Sequence, residues 1–249
     1  MGRALQAEIL KLRRVSLLLW SAVAVFVAPT LSNVFAVAQQ TGAERPSWPG
    51  FFALSSMTMG TWYGVLLFGL VTAFLFGREY VDGTASGMLS TPIRREYVVF
   101  AKLTVLAAWV LSLSVLALVA QAGWATALGL AGFAWASVWP VVGDVLTVAL
   151  LQFLTLPVIA LVAVVSRGIF APMIVSAFGF SAGMLGGIAG WGEWLPWAMP
   201  AAIGGTFMGT LGSDRVAELT LMSWVISGGV FVAGTVAIMW WLLHADNSG

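Results

Sequence analysis

Long apolar runs joined by short polar connections account for most of the chain. About 20 mostly apolar residues are needed for a helix to cross roughly 30 Å of hydrocarbon. Six stretches reach that length: Val15 to about Ala38, Phe52 to Phe76, Val98 to Gln121, Val141 to Val165, Ile169 to Ala189, and Leu219 to Leu243. The pattern predicts an all-α polytopic membrane protein, a single transmembrane domain over 1–249 with six transmembrane helices. Between the third and fourth spans, 123–139 is itself apolar and rich in Ala, Gly and Trp, which leaves it open to a re-entrant or interfacial helix.

The charges fall into clusters between the runs. With the N-terminus placed in the cytoplasm, Arg3, Lys11, Arg13, Arg14, Arg78, Arg94, Arg95, Lys102 and Arg167 lie inside, and only Arg45 and Arg215 of the eleven basic residues lie outside. Short cytoplasmic connections carry the excess of Lys and Arg, so the expected orientation has both termini in the cytoplasm. Ala36-Val37-Ala38 has the small-residue form of a signal-peptide cleavage site. The run before it is longer than an h-region of about 7–15 residues, which favours a retained span.

Composition agrees with the pattern: 60% of residues are hydrophobic and 8% charged, whereas soluble domains carry about 25% charged residues. With so few charges the outer surface must face lipid. Cysteine is absent and His244 is the only histidine, which excludes disulfides and thiolate sites and leaves no set of His ligands for a metal. Neither a basic tail nor a basic patch is present to recruit nucleic acid. The motifs HExxH, GxSxG and GxxxxGK[ST] are missing, so neither hydrolytic chemistry nor ATP binding on a Walker A loop is expected of this chain.

Three features are readable in more than one way. Asp144 falls at the outer start of the fourth span, where a carboxylate would favour the helix dipole; carboxylates within the spans are otherwise too sparse for a proton path. Gly179, Gly183 and Gly187 repeat at intervals of four in the fifth span. That spacing permits close helix packing, either within one subunit or at a seam between subunits. Of 13 tryptophans, Trp48, Trp124, Trp139, Trp191, Trp194 and Trp197 fall near the outer boundary and Trp240 and Trp241 near the inner one. An aromatic belt accounts for them, with a ligand-binding cluster of Trp191, Trp194 and Trp197 as the alternative.

One cytoplasmic connection, 77–97, is too patterned for a plain linker. Asp82 or Thr84 can cap a helix start and Pro92 would stop that helix. Between them Ala85, Met88 and Leu89 fall at i, i+3 and i+4, giving a short apolar face.

At this segment the chain resembles the ABC-2 type permeases, in particular the small six-span members associated with antibiotic, bacteriocin or lantibiotic export and self-immunity. The resemblance rests on Phe76, Glu79, Tyr80, Gly83 and Thr84 at the end of the second span, then Leu89, Pro92, Ile93 and Arg95, and Lys102 opening the third. Glu8, Lys11 and Arg14, with Arg13 beside them, resemble a corresponding E-x-x-K-x-x-R N-terminal helix.

The resemblance implies a membrane-spanning transport subunit, not itself an enzyme, and binding no cofactor of its own. Two copies of a separate ABC ATP-binding subunit would hold the ATP and Mg. The other expected partners are a second permease subunit, the same or similar, and membrane lipid. Residues 1–14 would form an interfacial helix, and 77–97 a coupling helix for the ATPase, with Ala85, Met88 and Leu89 as its contact face. Glu79, Tyr80, Asp82, Gly83, Thr84, Pro92, Arg94 and Arg95 complete the implied coupling region, in which Glu79 would meet charges of the ATPase or of the N-terminal helix. The outer loop 190–218 would hold re-entrant helices. An amphiphilic or peptide-like cargo suits spans so poor in charge. Two alternatives stay open: an immunity permease that expels peptides from the membrane, and an ATPase-independent carrier or channel. The resemblance places the protein in the bacterial cell membrane.

Overall fold

A computed structural model describes residues 2–12, 16–38, 46–60, 64–84, 94–203 and 219–244. Among these residues all regular structure is helical: α1 (Gly2–Leu12), α2 (Ser16–Ala38), α3 (Trp48–Thr58), α4 (Gly64–Val81), α5 (Arg95–Ala127), α6 (Trp135–Ser166), α7 (Phe170–Ile188), α8 (Met199–Ile203) and α9 (Leu221–His244). Five of them, α4, α5, α6, α7 and α9, are long and apolar enough to cross a membrane. The segment expected to make the first span forms the 23-residue helix α2.

Several boundaries differ from those expected. Within the expected second span over 52–76, α3 ends at Thr58, residues 59–60 wind as a π turn, and α4 begins at Gly64. Two glycines here are closely approached by other elements. A Cβ on Gly60 would lie 2.5 Å from the carbonyl oxygen of Pro200, and one on Gly64 would lie 2.3 Å from Gln152 Oε1. Gln152 Nε2 donates to the Met59 carbonyl at 2.7 Å, so a side chain of α6 engages an acceptor of the π turn. The apolar stretch 123–139 holds no helix of its own. Its first part completes α5, a turn at Gly129 (φ 63°) follows, and its last part opens α6.

That early start moves Asp144 away from a helix terminus. It lies nine residues past Trp135, more than two turns into α6, so the helix dipole does not account for it. Neither Pro140 nor Pro157 ends this 32-residue helix. The carbonyl freed by a proline can be satisfied locally in a span.

Helix α6 is the hub, packing against α3, α4, α5, α7, α8 and α9. Small residues set the closest approaches, as expected where lipid removes the hydrophobic drive between helices. Gly234 of α9 meets Pro157 of α6, Gly69 of α4 receives Ser176 of α7, and Gly77 faces the carbonyl of Gly168. The main core runs through Phe68, Leu106, Leu156, Ile159 and Ile238. A second cluster, Val37, Trp48, Phe51, Phe52, Ala125, Leu130 and Val138, lies at one end of the bundle.

Candidate functional site

The two ends of the bundle differ in chemistry. At one pole the start of α3 meets the α5–α6 turn. Trp48 N–H donates to the Ala131 carbonyl at 3.0 Å, and the Trp48 ring stands 4.8 Å from Phe133, edge to face. The opposite pole joins α1, the last turns of α4, the first turns of α5 and the end of α9, and there the charges converge.

Four of those charges close a ring. Lys11 Nζ lies 2.9 Å from Glu8 Oε1 and 2.6 Å from Glu79 Oε1. Lys102 Nζ lies 3.4 Å from Glu8 Oε2 and 3.2 Å from Glu79 Oε2. Each carboxylate therefore gives one oxygen to each lysine, and two acids alternate with two bases. Lys102 also donates to the Leu75 carbonyl at 2.7 Å and sits over the Phe76 ring. The side chains of Glu8, Glu79 and Lys102 are buried, whereas that of Lys11 is 43% exposed.

Charges taken out of water are tolerated only when paired and hydrogen-bonded. The ring meets that condition and fastens three helices: α1 through Glu8 and Lys11, α4 through Glu79, and α5 through Lys102. Burial opposes charge on Lys11, yet the hydrogen bonds and charges of Glu79 and Glu8 prevail and hold its pKa above the ordinary lysine value.

Local structure delivers Glu79 to this position. Helix α4 runs five residues beyond the expected span end, so Glu79 is helical and buried, not part of a loop. The helix ends at Asp82-Gly83-Thr84. Gly83 takes φ 67°, its N–H bonds the Tyr80 carbonyl at 3.3 Å, and the Thr84 N–H bonds the Glu79 carbonyl at 2.9 Å. This is a Schellman stop, with glycine at the left-handed position. Asp82, expected as a candidate N-cap, instead pairs with Arg78 at 2.9 Å one turn back. Glu79 thus serves twice, its carbonyl in the helix stop and its carboxylate in the ring.

Across the same pole Arg95 Nη1 donates to the Leu242 carbonyl, tying α5 to α9. Arg94 is exposed at the head of α5. Ala85, Met88, Leu89 and Pro92, and in the N-terminal segment Arg13 and Arg14, lie outside the described residues. The expected loop 77–97 is thereby divided: 77–81 belongs to α4 and 95–97 to α5.

Ala4 and Glu8 of α1 are buried and Ile9 is exposed. Charge pairing, which hydropathy cannot express, turns Glu8 inward.

At the aromatic pole the glycines of α7 receive the loop that follows them. A Cβ on Gly179 would stand 2.8 Å from the Trp197 ring, and one on Gly183 would stand 2.4 Å from the Trp197 carbonyl oxygen. Gly187 opens onto free space, and Gly186 instead meets Leu195. Trp191 and Trp194 are exposed, so the three tryptophans of this loop do not share one environment. Of the outer loop, the short helix α8 is described, while 204–218 lies outside the described residues.

Apolar helices of spanning length, closed at one pole by paired charges, define a multi-pass helical membrane protein. Residues 4–183 match the family described as ABC-2 family transporter protein, and the chain belongs to that family. A 48-residue stretch is 38% identical to the bacitracin transport permease protein BCRB of Bacillus licheniformis. That stretch covers 19% of this chain and 23% of the relative. No solved structure matches.

Proposed function

We propose that the chain is the membrane-spanning subunit of an ATP-driven ABC exporter in the bacterial cell membrane. It works with two ATP-binding subunits, which carry the ATP and Mg, and with a second permease, the same or similar. Helix α2 is the sixth span, α1 lies along the inner interface, and the charged pole and both termini face the cytoplasm. The nine-to-two division of basic residues supports that orientation.

The observation that carries the reading is the ring of Glu8, Lys11, Glu79 and Lys102. It joins α1, α4 and α5 where α4 and α5 flank residues 85–93, the segment whose apolar face would dock on the ATPase. Movement of that segment would then reach three helices together, and no catalytic residue is required of this chain. The cargo is amphiphilic or peptide-like and of antibiotic type. The partial match to a bacitracin transport permease supports that class.

Co-purification with a co-expressed ABC ATP-binding subunit tests the proposal. The variant M88D/L89D should lose the ATPase while eluting from size exclusion in detergent as the wild type does. Full retention of the ATPase by a variant that elutes normally would overturn the coupling assignment.

A further inference from the structure

Gln152 is a polar side chain, 2% exposed, near the middle of the apolar helix α6, and the charged pole makes no use of it. Its amide lies against α4 where Gly64 has no side chain; a Cβ there would overlap both of its polar atoms. Nε2 donates to the Met59 carbonyl in the π turn, while Oε1 has no hydrogen-bond partner among the described residues. A buried acceptor left idle costs free energy. Such a cost persists where neighbouring packing enforces it, and it favours release once that packing shifts.

The turn is also where the chain bends most easily. A π turn takes one residue more than an α turn, and kinks concentrate where the regular ladder is interrupted. On one side of it the Pro200 carbonyl of α8 rests against Gly60. The same outer segment is tied to α9: Ser227 Oγ donates to Met199 Sδ at 3.0 Å, and Ser223 Oγ donates to the Glu193 carbonyl at 2.8 Å. Toward the charged pole, Ser176 Oγ donates to the Val65 carbonyl at 2.9 Å across Gly69. Glu79 then closes α4 into the ring, about 23 Å along the helix from Gly64. One helix thus connects the ring to the turn, and the turn touches the outer loop.

We propose that the π turn at Met59 and Gly60 is a hinge with Gln152 as its latch, through which displacement of α4 at the charged pole moves α8. Gly60 and Gly64 let Pro200 and the Gln152 amide press directly on the turn, so no pliant side chain absorbs a change in its bend. The two ends of α4 are held unequally. Glu79 is held by two charged partners in a buried ring, whereas the latch is one hydrogen bond between neutral groups. Bonds to charged groups are the stronger, so the latch yields first. In the working exporter the displacement comes from the ATPase; that source rests on the function proposed above, and the test does not.

The test reads α8 while the ring is changed. The full chain in nanodiscs, without ATPase, carries a single cysteine, Ala202→Cys on α8 or, as control, Gly187→Cys at the open end of α7. Labelling by a small water-soluble methanethiosulfonate is timed. Glu79→Gln, which removes the charge that holds α4 in the ring, should speed labelling of Ala202→Cys by about fivefold or more. Gln152→Met should speed it alone, and adding Glu79→Gln to Gln152→Met should then change it by less than about twofold. Gly64→Ala, whose methyl displaces the amide, should reproduce Gln152→Met and replaces it if that variant does not elute as a single species. Gly187→Cys should label at one rate throughout. An unchanged rate at Ala202→Cys on Glu79→Gln would overturn the hinge. So would an undiminished response to Glu79→Gln once the latch is gone, or equal responses at both cysteines, which would mean general loosening. None of these results touches ATPase co-purification, so failure here is distinguishable from failure of the exporter reading.

Discussion

Lys102 on α5 stands 3.2 Å from Glu79 on α4, and the same ammonium donates to the Leu75 carbonyl at 2.7 Å. A lysine of one helix thus binds both a side chain and the backbone of its neighbour, in a buried setting. Lys102→Met would leave Glu8 and Glu79 to share Lys11 alone. Removing one partner from a buried pair costs about 3–5 kcal/mol, so the thermal midpoint in detergent should fall steeply. Adding Glu79→Gln should restore part of that loss, because the uncompensated carboxylate is then gone. A double-mutant cycle reads the coupling directly.

The stop at Gly83 should be a purely conformational requirement. Among the described residues no atom lies within 4 Å of the position a Cβ would take, and φ 67° is what resists a side chain. Gly83→Ala should therefore cost about 1 kcal/mol, visible as a small drop in thermal midpoint with no change in oligomeric state.

The glycines of α7 should divide by position. Gly183→Ala places a methyl 2.4 Å from the Trp197 carbonyl and should destabilise by about 1–3 kcal/mol. Gly187→Ala meets nothing among the described residues and should be neutral, or stabilising by up to about 1 kcal/mol through helix propensity. Fluorescence-detected size exclusion after heating separates the two outcomes.

Lys11 gives the ring a pH limit. Its folded pKa lies above the ordinary 10.5. The tie it makes is fully present below 10.5 and is lost as pH rises through the elevated value. Protease access to α1 should be flat from neutral pH to about 10 and rise only in stronger alkali. Lys11→Gln should raise access already at neutral pH.

Hydropathy and charge clustering made most of the helices legible, since a run such as 98–121 has no alternative to a span. What they missed has physical causes. Met59 and Gly60 sit in continuous apolar sequence, and the π turn there meets Gln152 and Pro200, which lie far along the chain. The fourth span was expected from about Val141, yet α6 begins before Pro140, at Trp135. Asp82 carries a cap signal that serves either end of a helix, and only the left-handed Gly83 decides between them. The acids and bases of the ring were visible as motif residues, and a contact from Glu79 to the N-terminal helix was among the expectations. Its closure depends on Lys102, 23 residues beyond Glu79, turning toward α4 and not toward solvent.

The pole proposed to meet the ATPase is the centre of this account. The chain has no cysteine, so single-cysteine crosslinking can be applied without background. L89C places the probe in the sequence between α4 and α5, and W139C places it at the aromatic pole. With the ATP-binding subunit co-expressed, a short bifunctional reagent should join that subunit to L89C and leave W139C unreacted. An adduct from W139C with none from L89C would contradict the account.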